Sequence, residues 1–266
     1  LGEVAPEFSI VYRYLIGSLC LFIYSKYRGL NLLFKVNYHF WFELLWAFLF
    51  CLNYILDYRA QVHINSALAA IVFSTMLWMN IILSRFVFGT RAGARVLFGA
   101  VLGIAGIVTL FAPQVSEVAL SDTVLYGSLL ALLGALMASI GNMVSQAAQQ
   151  QRALPVVQAN AWGMLYGALL TAGICVVQGY AFTFEGTFTY IASLVYLAVF
   201  GSVIAFGAYL TLLGRIGAHR AGYATVMFPV VALLLSILFE GLRLDFAIIA
   251  GTSLVLLGNV LVLRER

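Results

Sequence analysis

Charge is what this sequence has least of. Only 9% of its residues are Asp, Glu, Lys or Arg, against roughly 25% in a water-soluble domain. With 64% hydrophobic residues and a mean hydropathy of +1.04, the chain cannot cover itself with polar surface, so its solvent is lipid. Cysteine is scarce as well. Cys20, Cys51 and Cys175 all lie inside apolar runs, and an odd number of such residues offers neither a disulfide framework nor a zinc site. His39, His63 and His219 are scattered, so the cluster of His, Asp, Glu or Cys that a membrane-embedded lipid enzyme needs at one face is missing. No glycine run sits between a strand and a helix, which removes a phosphate loop. The net charge of +4 is too small for a nucleic-acid footprint. Nothing calls for a cofactor or a metal, and no stretch near Leu1 reads as a cleavable signal peptide.

What is present is a series of long apolar runs. A bilayer core needs about 20 apolar residues per helix, with a range of about 17 to 25. Nine stretches qualify: 9–25, 39–57, 64–84, 96–112, 123–146, 156–178, 188–212, 221–239 and 246–263. Strands of a membrane barrel alternate in short segments, and an open sheet edge in lipid leaves backbone unpaired, so helix is the assignment. The fold class expected is an all-α integral membrane protein.

Two of these regions repeat. Sliding Ile64–Leu110 by 152 positions onto Ile216–Val262 puts Ala69 on Ala221, Gly89 on Gly241, Gly99 on Gly251 and Gly106 on Gly258, with no gap. A duplicated membrane unit is the usual trace of a transporter. The expected division is an N-terminal repeat at 1–112 with four helices and a C-terminal repeat at 123–266 with five. Pro6 before the first span matches Pro155 before the sixth at an offset of 149. The unmatched helix is 123–146, so the full protein is expected to have ten helices, the first preceding Leu1.

Basic residues set the orientation. Alternating spans place 11 of the 14 on one side, from Lys26, Arg28 and Lys35 through Arg152 to Arg264 and Arg266. The other side holds Arg59 and Arg243, with Arg13 just inside a helix there. The positive-inside rule makes the first side cytoplasmic and the C-terminus with it. Glu3, Glu7, Asp57, Glu117, Asp122, Glu185, Glu240 and Asp245 gather on the far side. An odd number of helices per repeat turns the two copies upside down relative to each other, the arrangement that lets a central site open to either side in turn.

With these residues in view, the chain resembles the drug/metabolite transporter superfamily, in particular its EamA-type members with ten helices in two inverted repeats. The resemblance rests on PEFSIVYRYL at 6–15, SALAAIVFSTMLWMNIILSRFVFG at 66–89, GAHRAGYATVMFPVVALLLSILFEG at 217–241 and the glycines of 99–106 and 251–258. Copy one departs from the pattern, with Leu77 where Pro229 stands and Phe88 where Glu240 stands. The resemblance implies a solute carrier of the bacterial inner or plasma membrane, most often an exporter of amino acids or related metabolites.

Polar groups inside the bilayer are costly and mark function by default. Arg13 is either a snorkelling side chain or a fixed positive charge suited to a carboxylate. Glu43, if buried, would hold a proton and could couple transport to it, and Asp57 is a second proton-coupling candidate unless it simply pairs with Arg59. Asn53 lies one turn before Asp57 on the same face. Thr75 and Trp78 stand mid-membrane, Trp78 far from the interfacial belts where tryptophan is usual. Asn142, Trp162, Tyr166, Tyr209 and Tyr223 complete a substrate-binding set of amides and aromatic rings, suited to a solute with apolar or aromatic parts and polar ends. Ordinary core packing explains the same rings equally simply. Pro229 interrupts a helix and reads as a gate or hinge. Gly99 and Gly103 form a GxxxG, fit for helix packing or for a contact between two copies.

The expected function is secondary transport of a small metabolite, an amino acid or related solute, aromatic ones included, by alternating access and in the direction of export. A carrier of nucleotide sugars or drug-like cations is the alternative within that class. A membrane scaffold without flux, or a lipid enzyme, is the alternative outside it.

Overall fold

The computed structural model describes residues 6–116, 121–179, 183–239 and 245–263. The sequence marks at Glu3, Glu117, Glu240, Gly241, Arg243, Arg264 and Arg266 lie outside the described residues. Within them the chain is helical and without strands. In order the helices are α1 (Pro6–Tyr27), α2 (Val36–Gln61), α3 (Ser66–Phe88), α4 (Ala94–Ser116), α5 (Asp122–Arg152), α6 (Val156–Val177), α7 (Phe188–Ile216), α8 (Ala218–Phe239) and α9 (Phe246–Leu263). Seven of them, α1 to α7, are long and apolar enough to cross a membrane, and α9 carries a shorter apolar stretch, Phe246–Val262. The protein is an all-α, multi-pass integral membrane protein.

Local chemistry explains where these helices begin and end. The Asn65 side chain caps α3, accepting from the Leu68 N–H at 2.8 Å, and Thr187 does the same for α7 through the Tyr190 N–H at 3.3 Å. Such caps satisfy backbone donors that a helix start leaves orphaned. Gly89 closes α3 in the left-handed region at φ 69°, where a side chain would be strained. Most helices outrun the apolar spans by a few residues, and α5 by the most at a single end. It continues to Arg152 because the glutamines and alanines of 146–151 are good helix formers. Hydropathy ends before the helix does.

Three helices are irregular in mid-course. α2 has π-helical turns at Ala47–Leu52 and α7 at Leu197–Ala205. Shifted by the repeat offset of 152, the first segment falls inside the second. Such turns insert a residue into the hydrogen-bond ladder and recur at functional sites. α3 breaks at Thr75. There Ser74 Oγ donates to the Ile71 carbonyl and Thr75 Oγ1 to the Val72 carbonyl, both at 2.6 Å, back-bonding that bends helices.

The chain divides into two compact units, Leu1–Ile55 with Val144–Arg215, and Leu56–Met143 with Ile216–Arg266. Each unit thus draws on both of the stretches 1–112 and 123–266, and α2 and α5 contribute to both.

In the second unit, α4 and α9 cross at their glycines. A methyl group built on Gly99 would lie 2.8 Å from the Gly258 carbonyl oxygen, and one on Gly106 would lie 2.7 Å from that of Gly251. The reverse contacts hold as well: Gly251 would meet the Gly106 oxygen and Gly258 the Gly99 oxygen, each at 2.7 Å. Gly99 is the repeat equivalent of Gly251, and Gly106 of Gly258, so each contact maps onto the other. That reciprocity is what a local twofold axis produces, and the pairing of low with high numbers makes the two helices antiparallel. Gly103 packs in the same seam, its N–H 3.1 Å from a methyl built on Gly258. The GxxxG is therefore used within one chain.

Candidate functional site

In the first unit the site is built on α1, α2 and α7. Arg13 lies two turns into α1, half-buried. Its Nε donates to Ser202 Oγ at 2.6 Å, and Ser202 is fully buried inside the π-helical segment of α7. The neighbouring Gly201 leaves room for the guanidinium: a methyl there would sit 3.2 Å from Arg13 Nη2. The charge is also 5.8 Å from the ring centre of Tyr54 and 6.0 Å from that of Tyr14. Tyr14 meets Phe50 edge-on at 5.5 Å and Tyr54 at 6.0 Å, and Phe50 meets Phe206 at 4.9 Å. Aromatic faces attract a cation, while the one side-chain bond at Nε leaves a planar fork with donors to spare. Asn53, immediately before Tyr54, is 8% exposed, and its Oδ1 is buried and unpaired. An unmet buried acceptor of this kind costs about 1–3 kcal/mol.

A second aromatic group of the same unit joins α2 to α6. Trp162 Nε1 donates to the Leu32 carbonyl at 3.2 Å. The Trp162 ring lies 4.8 Å from His39 and 5.7 Å from Tyr166. His39 Nδ1 and Tyr166 Oη are 2.5 Å apart. Glu43 stands one turn beyond His39 and is exposed, whereas the proton-carrying role read from the sequence supposed burial. Tyr209, on α7, is half-buried.

In the second unit, a hollow of ≈290 Å³ opens among the end of α2, α3, α4 and α8. Asp57, Gln61, Phe73, Ser74, Thr225 and Pro229 are among its lining residues. Asp57 accepts from Gln61 Nε2 at 2.8 Å, while Arg59 is exposed; Gln61, not Arg59, is thus the neighbour of the carboxylate. Ser74 at the break of α3 and Pro229 of α8 both border this hollow. Thr75 itself is half-buried, its hydroxyl committed to its own helix.

The remaining candidates make contacts within the second unit. Asn80, on α3, takes hydrogen bonds at Oδ1 from Ser139 Oγ at 2.6 Å and from Asn142 Nδ2 at 3.3 Å, and all three side chains are at most 1% exposed. Asn142 is in this way part of an amide bridge between α3 and α5. Tyr223 is buried and its hydroxyl donates to the Val96 carbonyl. Trp78 packs against the cluster that contains Tyr223, Leu77 and Val96.

Sequence reasoning missed Ser202, Gly201, Gln61 and His39. Ser202 and Gly201 gave no signal except small residues in a long apolar run. His39 was detectable, since it stands one turn before Glu43 on a helix rather than in a loop.

The EamA-like transporter family model matches residues 1–112 and 125–264. The chain belongs to the EamA-like transporter family. It is therefore a membrane transporter rather than an enzyme. It is 27% identical over 231 residues to a probable amino-acid metabolite efflux pump of Escherichia coli K12, covering 83% of this chain and 73% of that one. It is 24% identical over 204 residues to the uncharacterized transporter YoaV of Bacillus subtilis, covering 77% and 68%. A solved crystal structure superposes with a TM-score of 0.83 at 20% identity, over 98% of this chain and 88% of that one, a likeness of fold.

Proposed function

We propose that this family member is a secondary transporter that exports small amphiphilic metabolites bearing a carboxylate, amino acids or relatives with an apolar or aromatic portion. The observation that carries the reading is Arg13: a cation within a membrane helix, fixed by Ser202 and ringed by Tyr14 and Tyr54. A charge at bilayer depth costs about 2.5–3.5 kcal/mol on insertion scales, a cost retained where a substrate needs it. The spare guanidinium donors suit a carboxylate, the rings suit an apolar side chain, and Asn53 Oδ1 suits an ammonium. The efflux named for the Escherichia coli relative supports the direction.

Alternating access, with the repeats at 1–112 and 123–266 inverted, is the mechanism we infer, and the antiparallel α4–α9 seam supports it. Pro229 and the broken α3 serve as hinges. Asp57, beside Gln61, is the proton-coupling carboxylate of choice. The clustering of basic residues supports a cytoplasmic C-terminus, and the inner-membrane transporter YedA of Escherichia coli among the relatives supports a bacterial inner membrane.

The test is counterflow of radiolabelled amino acids in proteoliposomes, with and without a pH gradient. Arg13→Gln is expected to cut flux of carboxylate-bearing solutes at least about tenfold, the scale of one charge-assisted hydrogen bond. Arg13→Lys, which keeps the charge and loses the fork, should fall between. Wild-type flux in Arg13→Gln would overturn the reading, and no flux of any solute in wild type would favour a scaffold.

A further inference from the structure

We propose that a hollow at the start of α2 holds the phosphate of an acidic phospholipid. The hollow has a volume of ≈560 Å³ and is lined by Lys35, Asn37, Tyr38, Phe40, Trp41 and Arg152. It belongs wholly to the first unit. Two cations reach it from different helices: Lys35 precedes α2 and Arg152 ends α5. Among the described residues no acidic side chain lines it.

Its chemistry fits a phosphodiester. The Arg152 guanidinium lies 5.8 Å from the centre of the Trp41 ring, a contact that holds the cation while its in-plane N–H donors stay available. Lys35 adds a point charge. No side chain caps the start of α2; the Tyr38 N–H turns back to the Lys35 carbonyl at 2.8 Å, and the helix dipole favours an anion at this end.

Its setting decides for lipid over a soluble anion. The residues sit where one helix begins and another ends, at the water boundary of the bilayer, with Tyr38 and Trp41 in the manner of interfacial aromatics. Leu33, Val36 and Phe40 stand beside it at 86%, 84% and 58% exposure. Bare apolar side chains at that level gain nothing from a free phosphate and would line an acyl chain. This end of the helices is also the strongly basic side of the sequence, where acidic lipid is drawn to the surface.

The test uses the full-length protein in nanodiscs of phosphatidylcholine doped with phosphatidylglycerol, with retained lipid counted by native mass spectrometry. The double variant Lys35→Gln/Arg152→Gln is expected to lower phosphatidylglycerol retention about tenfold or more. Lys26→Gln/Arg28→Gln, a loss of equal charge in the preceding loop, should change it little. All four side chains are exposed, so the variants should elute as wild type on size exclusion. Equal retention in wild type and the first double variant overturns the proposal, as does an equal loss in both double variants. Displacement of the lipid by millimolar inorganic phosphate, with the same dependence on Lys35 and Arg152, overturns the assignment to lipid.

Discussion

Two pairs of repeat-equivalent helices treat the duplication in opposite ways. In α4 and α9 the residues correspond: glycine stands on glycine, and the backbones touch through Gly99, Gly106, Gly251 and Gly258. In α2 and α7 the residues do not correspond, AFLFCL against LAVFGSVIA, yet both helices carry π-helical turns at the same repeat position. The first pair keeps a sequence to keep a close contact, and the second keeps a backbone shape while its side chains diverge. A seam between backbones tolerates only one residue type. At the proposed site the two helices offer different side chains, Asn53 and Tyr54 from α2 and Ser202 from α7.

The sharpest break of this contrast is at the seam. Gly106→Ala would place a methyl 2.7 Å from the Gly251 oxygen and 2.8 Å from the Val255 nitrogen. Backbone cannot yield as a side chain can, so α4 and α9 must part. A loss of about 1–3 kcal/mol or more follows, as for overpacking in general, and should appear as a lowered unfolding midpoint in detergent. Gly173→Ala, at a position inside α6 with nothing within 4 Å, should keep the midpoint or raise it slightly, since alanine is the better helix former. If the two variants melt alike, the seam is not what holds these helices.

At the π-bearing pair the same change should act on function instead. Gly201→Ala brings a methyl to 3.2 Å from Arg13 Nη2, the far end of a flexible side chain that can move. The fold should survive while the guanidinium shifts off Ser202. We expect transport of carboxylate solutes to fall about threefold to tenfold, the equivalent of about 1 kcal/mol, mostly as a raised KM. Gly207→Ala, in open space on the same helix, is the control.

Much of this was legible in advance and some was not, for physical reasons. Hydropathy finds helices because lipid demands them, and glycine register finds the seam because only glycine allows the contact. Helix ends were misread where polar helix formers carry α5 on through Gln146–Gln151, since hydropathy measures solvent and not backbone. The Arg13–Ser202 bond spans 189 positions, and a serine in an apolar run has no pattern that announces its partner. Asn142 was expected at the cavity because a buried amide needs a partner, and sequence could not say that Asn80 meets its Nδ2 while its Oδ1 stays unpaired. Glu43 needed burial to matter, and an amphipathic count on so apolar a helix does not tell which side is covered.

The smallest effect tests whether the two copies bend by different chemistry at one level. α8 has Pro229, which removes a backbone bond outright. α3 has Leu77 at that repeat position and breaks at Thr75, where hydroxyls draw carbonyls out of the ladder. Thr75→Val keeps the side-chain shape and deletes the 2.6 Å bond to the Val72 carbonyl. A single hydrogen bond is worth about 0.5–1.5 kcal/mol net, and here the freed carbonyl can rejoin its own helix, so stability should shift by less than about 1 kcal/mol. The bend should relax if back-bonding imposes it, and the exchange rate of a nitroxide pair across the break should slow with it. Adding Ser74→Ala removes the second hydroxyl and should straighten α3 further. An α3 that stays bent without either hydroxyl would mean that packing, and not side-chain bonding, sets the break, and the parallel with Pro229 would then be one of position only.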